Sequence, residues 1–167
     1  DSLTVLNILS ILKKKIRMFE LEAIAIDEGI ENYRDKTLEQ AKKYCKENNI
    51  KLHIFSYKEE FGNTLDNFLK KNKMKACSMC GPFRRYLLNK KSKELGFTKL
   101  ATGHNLDDES QTIIMNYFRR NLETSARLGP ITGITKDSRF IKRIKPLYLM
   151  TEKETASQNM FDFTLPN

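Results

Sequence analysis

Apolar residues recur along this chain in short blocks whose period changes from one block to the next. From the N-terminus they come thickly, at Leu3, Val5, Leu6, Ile8, Leu9, Ile11, Leu12 and Ile16. That density suits a helix packed against a sheet better than one with a wet side, and Ser2 is a good N-cap for it. Leu21 to Asp27 predicts a buried strand ending in an acid, with Gly29 in the loop beyond. Thr37 to Asn49 has helical period, with Leu38, Ala41, Tyr44 and Cys45 on one face, so Cys45 reads as a small buried hydrophobe. Lys51 to Tyr57 predicts a second strand, Leu65 to Lys71 a short helix, and Phe83 to Leu95 a helix closed by Gly96. Thr98 to Thr102 predicts a third strand. Asn105 to Arg120 predicts an amphipathic helix, apolar at Leu106, Ile113, Ile114, Tyr117 and Phe118. A last strand is expected within Phe140 to Leu147. Helices and strands alternate, with crossovers long enough for parallel pairing. The expected fold class is α/β: a three-layer, open, mostly parallel sheet with helices on both faces.

A buried helix that opens such a chain should follow a strand and a turn. Residues ahead of Asp1 are therefore expected to be missing from this sequence. The 167 residues suit one domain. Lys and Arg number 30 against 21 Asp and Glu, a net charge of +9. A surplus of that size favours a polyanionic partner, RNA or DNA first, with a merely soluble basic surface as the alternative. No apolar run approaches a membrane-spanning length, so no membrane association is expected. Three cysteines, an odd number, make no disulfide framework, which points to a reducing, cytoplasmic compartment.

In an open α/β sheet, ligands bind at the carboxyl ends of the strands, and three segments are expected there. Asp1-Ser2 opens the first helix, where free N–H groups and the dipole suit phosphate; an ordinary N-cap pair is the plain alternative. Gly103-His104-Asn105-Leu106-Asp107-Asp108-Glu109 follows a strand and opens a helix. Gly103 allows close backbone approach. Asn105 could simply cap the helix while the acids answer its dipole, but a nucleotide with Mg²⁺ between the acids and the phosphates explains acids and histidine together. The third segment is Cys77-Ser78-Met79-Cys80-Gly81-Pro82-Phe83-Arg84-Arg85. Pro82 suits the first helical position, with Gly81 as cap. Cys80 would then sit at a helix N-terminus, where a thiolate is stabilised. Arg84 and Arg85 in the first turn would oppose the dipole unless an anion is bound. A zinc ribbon lacks its second CxxC, thioredoxin-type redox chemistry is weaker, and an iron–sulfur cluster or a persulfide-bearing dithiol needs these same two thiols.

Taken together, these segments resemble one family. Asp1-Ser2 looks like the end of the SGGxDS pyrophosphate loop of the N-type ATP pyrophosphatases, whose fold is the adenine nucleotide alpha-hydrolase type. CSMCGPFRRY followed by GHNLDDESQT resembles the ATP-dependent tRNA 2-thiolation enzymes, most closely the archaeal and eukaryotic cytoplasmic type that thiolates uridine 34. The similarity runs from Asp1 to about Ala156. It implies an ATP pyrophosphatase catalytic core over residues 1–156, with residues 157–167 as an irregular or truncated tail.

The resemblance implies that ATP activates the uracil C2 oxygen and that sulfur then displaces AMP. Asp1 and Ser2 would hold phosphate or Mg²⁺, Ile26 would offer backbone contacts to adenine, and Arg84 falls at a basic ATP-contacting position. Gly103, His104 and Asp107 would lie about the nucleotide, and Asp108 matches the essential acid. Cys77 and Cys80 match two of three ligands of a [4Fe-4S] cluster whose fourth iron can hold sulfide. The third cysteine has no counterpart in this chain, and Cys45 comes too early. Arg85, Lys73 and Lys75 are expected to grip tRNA. The sulfur donor would be sulfide or a ubiquitin-like sulfur carrier, and the assembly a homodimer. An amidating relative, or an RNA-binding module with a structural zinc, are the rival readings. The thiolation reading expects the dithiol and Asp108 to converge beside the triphosphate.

Overall fold

Parallel strand pairing appears in two places. In a computed structural model the residues described are 1–30, 34–72, 76–132 and 140–162, with side chains omitted at 70–72, 76–78 and 158–162. The chain divides into two compact units, Asp1–Leu12 with Phe97–Asn167, and Lys13–Gly96.

The Lys13–Gly96 unit contains β1 (Ala23–Asp27), α2 (Arg34–Glu47), β2 (Leu52–Ser56), α3 (Tyr57–Phe61), α4 (Leu65–Asn72) and α5 (Ala76–Glu94). The apolar run Ala23-Ile24-Ala25-Ile26 pairs in parallel with β2, Ile24 opposite His53 and Ile26 opposite Phe55. Such runs suit strands covered on both faces. Ser56 then turns the chain into α3, its side chain accepting the Glu59 N–H at 3.1 Å, and Gly62 ends that helix at φ +72°. The core gathers Ile26, Tyr57, Leu65 and Leu87, with Phe61, Met79, Cys80 and Phe83 packed against it. Tyr57 is wholly buried, and its hydroxyl donates to the Cys80 carbonyl at 3.0 Å. Burial, first of all, raises its pKa, so it stays a phenol and a donor. Cys45 is buried as expected, and burial raises the pKa of its thiol.

The helix bearing the cysteine pair starts earlier than the sequence predicts. It begins at Ala76, and Pro82 lies inside it. Cys80 is therefore in the second turn and not at a cap. Arg84 and Arg85 are likewise clear of the first turn, so the expected opposition between cations and dipole does not arise. Pro82 has no N–H to give the carbonyl four residues back, which falls in the cysteine turn. The packing of Met79 and Cys80 on the core accounts for helix on the N-terminal side of that proline. Gly96 closes α5 as predicted, at φ +81°.

The other unit holds most of α1 (Ser2–Ile16), β3 (Lys99–Ala101), α6 (Leu106–Phe118), α7 (Leu122–Ser125), β4 (Ile131–Thr132), β5 (Lys142–Ile144) and α8 (Glu152–Asp162). Strand order is β3-β5-β4, with β3 parallel and β4 antiparallel to β5. Helix α8 reaches Asp162, beyond the point where the pattern placed an irregular tail. The cap of α1 is Asp1, one residue before the predicted Ser2: its carbonyl accepts the Val5 N–H at 3.0 Å. All-round burial of α1 is not seen. Thr4, Val5 and Ser10 are buried, while Ile11, Leu12 and Ile16 are exposed.

Helix α6 is turned opposite to its pattern. Ile113, Ile114, Tyr117 and Phe118 are exposed, and Glu109 and Asn116 face inward. Glu109 pairs with Lys145 just past β5, both side chains more than nine-tenths buried. A buried carboxylate needs such a partner more than an isoleucine needs cover.

Two predictions follow from this packing. Tyr57→Phe keeps the ring and deletes one buried hydrogen bond, so urea denaturation should show a loss of about 0.5–1.5 kcal/mol. Glu22, bonded to His53, and Glu60, bonded to Lys90 and Lys91, both have carboxyl pKa values lowered below the ordinary 4.5. A lowered carboxylate stabilises the fold above its unfolded pKa and loses that contribution as pH falls through the folded value. The thermal midpoint should therefore drop below about pH 4.5, and Glu60→Gln should flatten that drop; parallel profiles would contradict it.

Candidate active site

The residues singled out by sequence fall into two groups, one in each unit. In the first, Gly103 meets the start of α1. A Cβ built on Gly103 would lie 2.9 Å from both the Asp1 carbonyl carbon and the Ser2 nitrogen. The close approach expected of a ligand at Gly103 is thus made by the chain's own backbone. Asp1, Ser2 and Gly103 are brought together, and the glycine is required because any side chain would strike main-chain atoms.

The acids after Gly103 have defined structural work. Asn105 caps α6, its side chain accepting the Asp108 N–H at 3.0 Å, while Asp108 accepts the Asn105 N–H at 3.1 Å. This reciprocal capping box satisfies two otherwise orphaned donors. Asp107 accepts the Glu152 N–H at 2.6 Å, the first residue of α8, whose own capping box joins Thr151 and Glu154. Asp1 accepts from the Thr155 hydroxyl at 3.2 Å. The Asn105 cap is the one the capping alternative anticipated; the bond from Asp107 to the start of α8 was not part of it.

His104 sits beside them, its Nδ1 at 3.0 Å from the Thr102 hydroxyl. Its pKa is lowered, chiefly because surrounding protein disfavours the charged ring; Asp108 opposes this and Lys145 adds to it. At neutral pH the ring is therefore a neutral hydrogen-bonding group, not a cation. A shallow depression of about 400 Å³ is lined by Asp107, Thr151, Glu152, Lys153 and Ala156.

The second group lies around the start of α5. Arg84 reaches back one turn and donates to the Cys80 sulfur at 3.4 Å. The same guanidinium pairs with Glu28 at 2.7 Å. Glu28 is wholly buried and pairs through its other oxygen with Arg34 at 2.8 Å. Arg34 also donates to the carbonyl of Ile26, the residue expected to offer backbone to adenine. Burial works against the charge on Arg84, yet Glu28 and Cys80 hold its pKa above the ordinary value. Arg85 folds over Gly81, its Nη1 3.2 Å from where a Cβ would stand. The Cys77 side chain and Lys73 and Lys75 lie outside the described residues.

Sequence reasoning missed Glu28, Arg34 and Tyr57. The signal available was the acid pair Asp27-Glu28 at the carboxyl end of a strand, where one acid was noted and its neighbour was not. Among the described residues no group of three His, Cys, Asp or Glu gathers to hold a metal ion. The described thiol of the pair still suits a soft-metal or sulfur-bearing role, being half-buried and bonded to a cation. No helix among the described residues is long and apolar enough to cross a membrane.

This fold and these segments are those of an ATP-binding class, and the chain belongs to the PP-loop domain family, whose profile matches residues 1–163. A probable sulfurtransferase of Methanocaldococcus jannaschii is 41% identical over 160 residues, covering 92% of this chain and 46% of that protein. The tRNA-5-methyluridine(54) 2-sulfurtransferase of Pyrococcus horikoshii is 40% identical over 139 residues, 83% of this chain and 44% of its own length. Among solved structures, the U34-tRNA thiolase NcsA from Methanococcus maripaludis with its [4Fe-4S] cluster superposes with a TM-score of 0.84 at 36% identity, covering 99% of this chain and 54% of that one. The fold is thus the expected α/β PP-loop type. The chain spans about half the length of the relatives it matches.

The packing at Gly103 gives a direct expectation. Gly103→Ala places a methyl group on the Asp1–Ser2 backbone, so chemical denaturation should show a loss of about 1–3 kcal/mol. An unchanged midpoint would mean that the two segments do not touch.

Proposed function

We propose that the chain is the catalytic part of an ATP-dependent tRNA sulfurtransferase that makes 2-thiouridine. The observation that carries this reading is the Cys80 sulfur held under the Arg84 guanidinium, in a PP-loop chain whose relatives include ones named for sulfur transfer to tRNA. The uracil C2 oxygen attacks the α-phosphorus of ATP and pyrophosphate leaves. A sulfur nucleophile then adds at C2, and the C2–O bond breaks to release AMP. A carbonyl oxygen is a poor leaving group and an adenylate a good one, while an anionic sulfur is strongly nucleophilic at neutral pH.

The start of α1 at Asp1 and Ser2, with Gly103 against it, is the proposed phosphate seat. Mg²⁺ would ride on the phosphates, with Asp108 as the acid beside it and Asp107, His104 and Ile26 about the nucleotide. Cys77 and Cys80 would be two of the ligands of an iron–sulfur cluster like that of the NcsA neighbour, and the cluster, when bound, would supply an iron to carry sulfide. Arg85, Lys73 and Lys75 would bear on the tRNA backbone, in line with the net charge of +9. We place the protein in the cytoplasm, as a homodimer, with sulfide or a ubiquitin-like carrier as sulfur donor. The favoured position is uridine 34, as in the NcsA neighbour; the Pyrococcus relative keeps position 54 as the specific alternative.

Anaerobic reconstitution of the full-length protein with tRNA, ATP and sulfide tests this. Cys80→Ala should release pyrophosphate at a rate within about twofold of wild type and lose 2-thiouridine by roughly 100-fold. Equal loss of both would make the cysteine structural. Nuclease mapping of the product separates positions 34 and 54.

A further inference from the structure

Glu28 has no role in the chemistry so far, yet it is the most deeply buried acid described, with no solvent exposure. Its surroundings hold it rigidly. Its carbonyl accepts the Leu65 N–H at 2.8 Å. The next residue, Gly29, turns at φ +69° with Thr64 so close that a Cβ would lie 2.6 Å from its methyl carbon. Gly29 N–H is tied to the Asp27 carboxylate at 2.8 Å. The Glu28 carboxylate divides between two guanidiniums. Arg34 is a structural pin: its side chain is four-fifths buried and also bonded to the Ile26 carbonyl. Arg84 is different. Its side chain is 47% exposed, and beyond Glu28 it donates to a sulfur.

Charge makes the arrangement informative. Among the described residues, one carboxylate meets two guanidiniums, a surplus of one positive charge. Besides Glu28, the described group that receives an N–H from the outer guanidinium is the Cys80 sulfur. A fold needing only to neutralise Glu28 would use one arginine, since buried ions are costly to assemble. The second arginine, held by the acid and presented to sulfur through the same Nη2, suits an electron-rich sulfur at that spot, and a planar guanidinium does this better than a flexible ammonium.

We propose that Glu28 is a positioning residue that acts through Arg84, fixing the guanidinium so that it faces the Cys80 sulfur and serves the sulfur-transfer step, not ATP binding. This rests on the thiolation reading and names the cation of its second half. It departs from the expectation that Arg84 is chiefly an ATP contact.

Two measurements on the full-length protein test it. The first needs no turnover. In ¹⁵N-arginine NMR of the protein prepared without cluster, a guanidinium assigned by its absence from Arg84→Gln should show slowed Nη rotation in wild type, and Glu28→Gln should abolish that slowing. Slowed rotation that survives Glu28→Gln overturns the proposal, whatever the protein's activity. The second is a double-mutant cycle on 2-thiouridine formation. Glu28→Gln should lower kcat at least tenfold, leave the KM for ATP within twofold, and cause no further loss when added to Arg84→Gln, because contacting residues are non-additive. Additive losses, or a raised KM for ATP at unchanged kcat, overturn it. Should Glu28→Gln fail to fold, Glu28→Asp, which keeps the charge and withdraws it by one methylene, is expected to give the same split in smaller degree, and an unchanged kcat there counts against the proposal. Wild type that shows the NMR signature but makes no 2-thiouridine would fell the thiolation reading and leave the positioning of Arg84 standing.

Discussion

A carboxylate cannot be taken wholly out of water without a cation to meet it. At Glu28 that constraint organises the cysteine-bearing unit. The acid lies just past β1, fixed by main-chain bonds to the start of α4 and by a glycine turn. Meeting it draws in Arg34 from α2 and Arg84 from α5. Two helices are thereby registered on one side chain, and a third on the same residue's carbonyl. The second turn of α5 is fixed from two sides: by the Tyr57 hydroxyl on the Cys80 carbonyl and by Arg84 on the Cys80 sulfur. A thiol that must meet a substrate or a metal gains from such fixing, because preorganised groups need little reorganisation when charge develops.

The other unit solves a different problem, the satisfaction of exposed helix ends. The starts of α6 and α8 are each met by side chains of the same unit. Asn105 and Asp108 close α6, while Thr151, Glu154 and Asp107 close α8. Asp1 begins α1 and is tied to Thr155. Acids next to helix N-termini are at home electrostatically. They also leave the start of α1 beside Gly103, where backbone packs on backbone. The chemistry proposed for this region therefore stands on a structural framework the same residues build.

Local chemistry was legible in the sequence, and long-range chemistry was not. The strands at Ala23–Asp27 and Leu52–Ser56, the Gly96 stop and the Asn105 cap follow from period and turn residues, and all are present. The start of α5 was misplaced because Pro82 favours a first helical turn, whereas packing of Met79 and Cys80 on the core carries helix through it. The face of α6 was inverted because Glu109 answers to Lys145, 36 residues away, and no window of helical period contains that pair. Glu28 went unseen for the same reason. An acid after a strand looks solvated until two arginines, one 6 and one 56 residues further on, are found against it.

The two units carry complementary halves of one reaction as proposed: activation of an oxygen by ATP and its replacement by sulfur. Mass spectrometry of nucleosides from the tRNA of a strain lacking the gene tests that claim most directly. The account predicts that 2-thiouridine and its derivatives disappear and return when the full-length gene is restored. Unchanged 2-thiouridine in the deleted strain would contradict it.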